Sequence, residues 1–418
     1  MTRNVVFKLN LCRFNCGNIL HFVSLLFVVA LVFPFVSVSA SSSFVLDASD
    51  QAVSNWFELR DAVTNAEGHT VISLNKDITI DQSLDIPANK NITLTSSSKT
   101  TFFKLIATTS HGTSSCNTIT VEDGGVLTLD GIIVTHADDV WNWGVVVESG
   151  GTLTLLDGEI SGNKQHYGVI NSGSFVMSGG VIANNGGGVY VNNGGWFTMF
   201  DGVIANNTAG RGSGVTVFGG SFSMFGGVIA NNTALAEGGG VYLYSGSFVM
   251  SGGVIANNTA RDGGGVYVSS DGRYGGGSSF VMLRGMISSN VASCNGGGVW
   301  VTDTTTDLGR FIIPKDAMVV FSDNRAVATY DRHSVHNKAY DTHIAGKVTW
   351  SSFFTQGYNN FDISYTRGIQ SIDGYIMFIV VISTVLAVGI VSIFLWLKIK
   401  RQKLFYRKTL NTQGVKHE

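Results

Sequence analysis

From about Val126 to Asn324 the chain alternates apolar and polar residues in short runs, and no run reaches helical length. Val241-Tyr242-Leu243 is followed by Ser247-Phe248-Val249-Met250 and then by Val254-Ile255-Ala256, with Gly, Ser and Asn between them. A period of two bounded by turn residues predicts strands. The pattern also repeats. Val-Ile-Ala-Asn-Asn begins at Val181, Val203, Val228 and Val254, in steps of 22, 25 and 26 residues. Degenerate copies run from Glu159 to Asn163 and from Met286 to Asn290, the latter after an insertion around Asp271 to Gly277.

Aligned on that motif, the repeats form columns. Phe175, Phe197, Phe222, Phe248 and Phe280 fall in one, and Met177, Met199, Met224, Met250 and Met282 lie two residues on, on the same strand face. Ile160, Ile182, Ile204, Ile229, Ile255 and Ile287 form a third column, and paired valines such as Val189 and Val191 a fourth. One repeat has too little apolar surface to fold alone, so the array stands only when stacked. The expected fold is all-β: a right-handed parallel β-helix with three strands and about 22–26 residues per coil. The second Asn of each motif (Asn163, Asn185, Asn207, Asn232, Asn258, Asn290) is expected to form a ladder of amides at one turn.

A solenoid needs capped ends. Asn55-Trp56-Phe57-Glu58 reads as a capping box opening an amphipathic helix, with Trp56, Leu59, Val63 and Ala66 on one face. The expected organisation is a signal peptide at 1–40, an N-terminal cap at 41–70 and the β-helix at 71–330. A C-terminal cap or membrane-proximal stalk follows at 331–374, then a transmembrane helix at 375–397 and a basic cytoplasmic tail at 398–418. The signal rests on a basic start, an apolar stretch from Ile19 to Val38 and small residues at Val38-Ser39-Ala40; an uncleaved anchor is the alternative. Tyr375 to Leu397 holds no charge and is long enough to span a bilayer, with Lys398, Lys400, Arg401, Lys403, Arg407 and Lys408 directly after it. The expected location is therefore the cell membrane, as a single-pass type I protein with the β-helix outside.

Composition narrows the function. The 52 glycines come with only 3 prolines and no triplet period, which excludes collagen, and an apolar fraction of 44% excludes a disordered chain. The basic ends leave residues 41–374 with a net charge of −11, so that segment is not expected to bind nucleic acid. Cys12 and Cys16 lie in the signal. Cys116 and Cys294 fall about six coils apart, roughly 29 Å at about 4.8 Å per coil, and are expected to stay free thiols.

The motifs Gly179-Gly180-Val181-Ile182, Gly226-Gly227-Val228-Ile229 and Gly252-Gly253-Val254-Ile255, with Phe321-x-x-Asn324, resemble the polymorphic outer membrane protein type of β-helix repeat and related adhesin-like surface proteins. The resemblance covers about Gly124 to Asn324 and implies surface display and adhesion. The chain departs from that family's outer-membrane members by ending in one apolar helix and a basic tail instead of a β-barrel.

Candidate chemistry is sparse. Tyr190, Tyr242, Tyr267 and Trp300 alternate with the inward valines and are expected to form an exposed ligand-binding aromatic strip, interrupted at Thr216. Sequons place candidate glycosylation sites at Asn91, Asn206, Asn231 and Asn257. Asp130, Asp157, Asp201 and Asp271 precede glycines and read as turn residues. His136, Asp138, Asp139 and Glu148 beside Trp141 and Trp143 form the best loop cluster for catalysis or sugar binding, although it also reads as a solvated insertion. His333, His336 and His343, with Asp331 and Asp341, fit no standard zinc spacing. No catalytic residue, metal or cofactor is expected. The expected function is a non-catalytic, adhesin-like or structural surface protein that binds glycans or partner cells. The alternative is a membrane-tethered polysaccharide lyase or glycosidase, and clustered carboxylates on neighbouring coils would favour it.

Overall fold

The computed structural model describes residues 51–98, 100–108, 117–137, 141–269, 277–301, 311–314 and 317–326, together with the backbone of 365–366. The expected signal, transmembrane helix, basic tail and most of the stalk lie outside these residues, as do Cys116, Asp138, Asp139, Asp271 and the histidines after residue 331. Among the described residues no helix is long and apolar enough to cross a membrane.

Alternation dictates the build. In each coil a strand such as Trp196–Met199 buries Phe and Met, Val203–Ala205 buries Ile, and Val215–Phe218 buries two valines. Strands of successive coils pair in parallel and in register, so like side chains lie over like: Phe197 on Phe222, Met199 on Met224, Ile204 on Ile229, Val215 on Val241. The result is an all-β, parallel β-helix-like stack. Six phenylalanines from Phe175 to Phe311 form one column with centroids 4.6–4.8 Å apart and ring planes within 4–9°. That spacing is the distance between hydrogen-bonded strands, and it falls in the favourable range for offset aromatic stacking. Toward the N-terminus the column continues through Leu153, Leu127 and Ile92. A single hydrophobic core runs from Val53 to Phe321.

Two features differ from the expected three-strand coil. First, the later coils have a fourth short strand. Thr208–Ala209, Thr233–Ala234, Thr259–Asp262, Val291–Asn295 and Arg325–Ala326 form a five-stranded sheet of their own. Length explains it: the 22-residue step from Val181 to Val203 passes straight from Asn185 into Gly187–Val191, whereas the longer steps have residues left for Thr-Ala to pair. Second, Val126–His136, Thr152–Ser161, Ser247–Ala256 and Ser279–Ser288 run unbroken from the Phe–Met face onto the Ile face, so those two faces form one sheet.

Corners need glycine for two physical reasons. Gly227 has φ 79°, and a Cβ there would lie 2.5 Å from Met199 Cε. Gly240 has no such φ, but a Cβ would meet the Gly265 carbonyl oxygen at 2.6 Å.

The Asn ladder forms as expected and is fully buried. Nδ2 of each member donates to Oδ1 of the next, at 2.7–3.1 Å from Asn163 through Asn185, Asn207, Asn232, Asn258 and Asn290 to Asn324. The backbone N–H of each donates to the same oxygen. From Asn185 onward, Nδ2 also donates to the carbonyl of an Ile one coil back. The first Asn of the motif takes the left-handed conformation, with φ 56–58° at Asn184, Asn206, Asn231 and Asn257, which turns the second inward.

The helix Trp56–Thr64 lies at the N-terminal end, its Leu59, Ala62 and Val63 buried. Asn55 Oδ1 accepts from Glu58 N at 3.0 Å, and the Glu58 carboxylate accepts from Ser54 N, one residue before the position a regular capping box uses. Lys90 Nζ donates to the carbonyls of Thr64 and Ala66 at the other helix end. Gln51–Val53, inside the expected cap segment, is a strand paired with His69–Leu74. Near the opposite end Tyr365–Thr366 pairs antiparallel with Val320 and Phe321.

Candidate functional site

The predicted aromatic strip is one column. Tyr190 lies over Thr216, Thr216 over Tyr242, Tyr242 over Tyr267 and Tyr267 over Trp300, on the outer side of the nine-stranded sheet whose inner side buries the valines. Its exposure differs from expectation. Tyr190, Tyr267 and Trp300 are half-buried, but Tyr242 is 8% exposed and Thr216 only 3%. The glycine corners cover them: a Cβ on Gly238 would fall 2.7 Å from the Tyr242 Cβ, and one on Gly212 would fall 2.9 Å from it. The Tyr242 ring packs 5.3 Å from Tyr267.

Neighbouring rings widen the strip. Tyr167 meets Tyr190 edge-on at 5.3 Å, and its hydroxyl bonds with Thr216 Oγ1 and donates to the Arg211 carbonyl. Phe218 and Tyr244 stack at 5.1 Å and 7° beside the column. They sit two residues after Thr216 and Tyr242, where alternation returns the side chain to the outer face.

Beside the strip is a charged corner that sequence reasoning missed. Glu237 and Asp262 bridge each other on adjacent coils and are 7% and 8% exposed. Glu237 pairs with Arg211 through Nε and with Arg261 Nη2 at 3.0 Å, while Arg261 Nε reaches Asp262 at 2.9 Å. Asn295 donates twice to Asp262, from Nδ2 at 2.7 Å and from the backbone at 3.1 Å. Burial, with Glu237 close by, raises the Tyr267 hydroxyl pKa well above its usual value. The only sequence signal for this corner was position, because Arg211, Glu237, Arg261 and Asp262 all sit in the segments by which the later steps exceed 22 residues.

Asp138 and Asp139 of the loop cluster lie outside the described residues, and its described members have these surroundings. His136 faces inward at 8% exposure, its Nε2 against the Trp143 carbonyl at 3.2 Å, and burial lowers its pKa to about 4. Glu148 stands exposed at the turn after Val145–Val147. Trp141 and Trp143 instead meet His166 edge-on. Asp201 sits at a bend as expected, but Asp130 and Asp157 pair inside strands Val126–His136 and Thr152–Ser161, at a bulge where the strands cross from one face to the next. Asp157 and Asp201 each accept from the N–H of the glycine that follows.

The chain matches no protein-family model, curated protein or solved structure.

The sequon asparagines Asn206, Asn231 and Asn257 are exposed and stack on successive coils at one corner, with Thr208, Thr233 and Thr259 exposed beside them. Asn91 is exposed at the start of Asn91–Ser96. Cys294 is a half-buried free thiol. Among the described residues no three His, Cys, Asp or Glu side chains are grouped to hold a metal.

Proposed function

We propose that the chain is an adhesin-like surface protein of the polymorphic outer membrane protein repeat type. A signal at 1–40 exports it, the apolar segment 375–397 tethers it as a single-pass type I protein, and it binds glycans without catalysis. Its coils wind right-handed, the hand that parallel crossovers take almost without exception. The observation that carries this reading is the aromatic column on a rigid sheet, flanked by a polar corner. Rings on strands lose little entropy on binding, and flat apolar faces with hydrogen-bonding groups at the edge suit sugar rings.

Cells displaying the full chain are expected to bind a subset of an arrayed glycan panel. Replacing half-buried Trp300 by Ala is expected to lower that binding about tenfold, the scale of a lost aromatic anchor. Unaltered binding by Trp300→Ala dismisses the strip. Tyr242→Ala is the wrong test, because Tyr242 is buried and its loss disturbs packing.

One observation bears on the enzymatic alternative. Glu237 and Asp262 do lie on neighbouring coils, but every carboxylate oxygen already accepts from an arginine or from Asn295. A general acid or base needs an oxygen turned to the substrate, so binding is the reading this corner favours.

Sequon use follows from exposure. In a glycosylating host, enzymatic glycan removal with mass mapping is expected to find sugar at Asn206, Asn231 or Asn257 and none at the buried Asn207, Asn232 or Asn258. Unmodified asparagines at all four sequons remove the glycoprotein reading.

A further inference from the structure

The hydrogen-bonding inventory of the charged corner is one-sided. Its four carboxylate oxygens are all occupied: Glu237 by Arg211 and Arg261, Asp262 by Arg261 and Asn295. Both acids are buried. The guanidinium groups that hold them are not, with side chains 61% exposed at Arg211 and 52% at Arg261. Arg211 uses only Nε, and Arg261 uses Nε and Nη2. Nη1 and Nη2 of Arg211, Nη1 of Arg261 and Nε1 of Trp300 have no partner among the described residues. Each of these groups is a donor, and an arginine accepts nothing.

A donor-only rim beside aromatic rings complements a ligand that brings acceptors and negative charge. We propose that this corner recognises an acidic glycan, with a sugar ring against Tyr267 and Trp300 and its carboxylate or sulfate on the outward N–H groups of Arg211 and Arg261. The inference rests on the glycan-binding reading and names the ligand class. The corner's carboxylates are buried and each oxygen already accepts from the corner's own side chains, so its outward edge offers more donors than acceptors. The exterior's net charge of −11 does not oppose this at contact range, because at physiological salt charges beyond about 8 Å are screened. A planar guanidinium already fixed by a buried carboxylate loses little freedom when its free edge takes an oxyanion.

The test is binding of the full chain, purified in detergent, to four polymers. Polygalacturonate supplies carboxylates and dextran sulfate supplies sulfates. Carboxyl-reduced polygalacturonate and dextran are the neutral counterparts. Binding to at least one acidic polymer is expected to exceed its neutral counterpart about tenfold, the scale of one charge-assisted hydrogen-bonded contact. Arg211→Gln is expected to abolish that preference. Arg211→Lys keeps a cation for Glu237 but lacks the fork, and is expected to lose the preference in part.

Equal affinity for acidic and neutral polymers overturns the ligand class while the aromatic strip still stands as a sugar site. An acidic preference that neither Arg211 variant alters overturns the assignment of that recognition to this corner. Failure of the full chain to bind any of the four polymers or any arrayed glycan overturns the glycan-binding reading itself, and this inference with it. The polymer comparison uses the unaltered chain, so it decides the matter even if a variant fails to fold.

Discussion

Replacing Asn232 by Ala is expected to lower stability by about 3–6 kcal/mol, because it strands several buried groups at about 1–3 kcal/mol each. Asn232 Oδ1 accepts from both the backbone N–H and the Nδ2 of Asn207, and its own Nδ2 donates to Asn258 Oδ1 and to the Ile204 carbonyl. Truncation leaves two Asn207 N–H groups and the Ile204 carbonyl without those partners, in a core no water reaches. Denaturation of the purified chain measures the loss. Asn163 is the internal control. It is the first member of the ladder, and its Oδ1 has no partner among the described residues. Asn163→Ala therefore removes an orphaned acceptor and one donor, and Asn185 Oδ1 keeps the Asn163 backbone N–H. The expected loss is well below that at Asn232. Equal losses at the two positions show that ladder hydrogen bonds are not what holds this turn.

Phe222→Ala is expected to cost about 3–5 kcal/mol, the range for deleting a buried aromatic side chain. Phe222 is 1% exposed and stacks on both sides, at 4.8 Å from Phe197 and 4.6 Å from Phe248. The neighbouring rings stand on paired strands, so they cannot collapse into the gap. Phe222→Leu is expected to cost under about 1.5–2 kcal/mol, near the range of shape-conserving swaps. The chain itself uses Leu in this column at Leu127 and Leu153. Thermal or denaturant melts of both variants give the comparison, and an Ala variant as stable as the Leu variant would show that the column is not close-packed.

Much of the fold was legible because the repeat carries its own register. Phe, Met, Ile and Asn recur at matching offsets, and in a parallel stack equal offset means direct superposition. The helix start at Asn55 was legible as well, since a side-chain acceptor before an apolar-periodic run has one use. The fourth strand was not legible. Thr-Ala is too short to show alternation, and only the added length of the coils allows it to pair. The column of the site was legible, from Tyr190 to Trp300, but its exposure was not. Whether a ring on a strand's outer face sees solvent depends on what folds over it, and here glycine corners from the same and adjacent coils fold over Tyr242.

The charged corner marks the same boundary. Arg211, Glu237 and the neighbouring Arg261 and Asp262 stand one repeat apart, in stretches that fall in none of the aligned columns, so no column pairs them across coils. The coil spacing brings Glu237 onto Asp262, lets Arg261 reach both and sets Arg211 on Glu237. Periodicity decides which residues stack, because hydrogen-bonded strands propagate register from one coil to the next. Contacts between corners that lack periodicity depend on the path of each loop, and a loop's path is set only once the coils beneath it are in place.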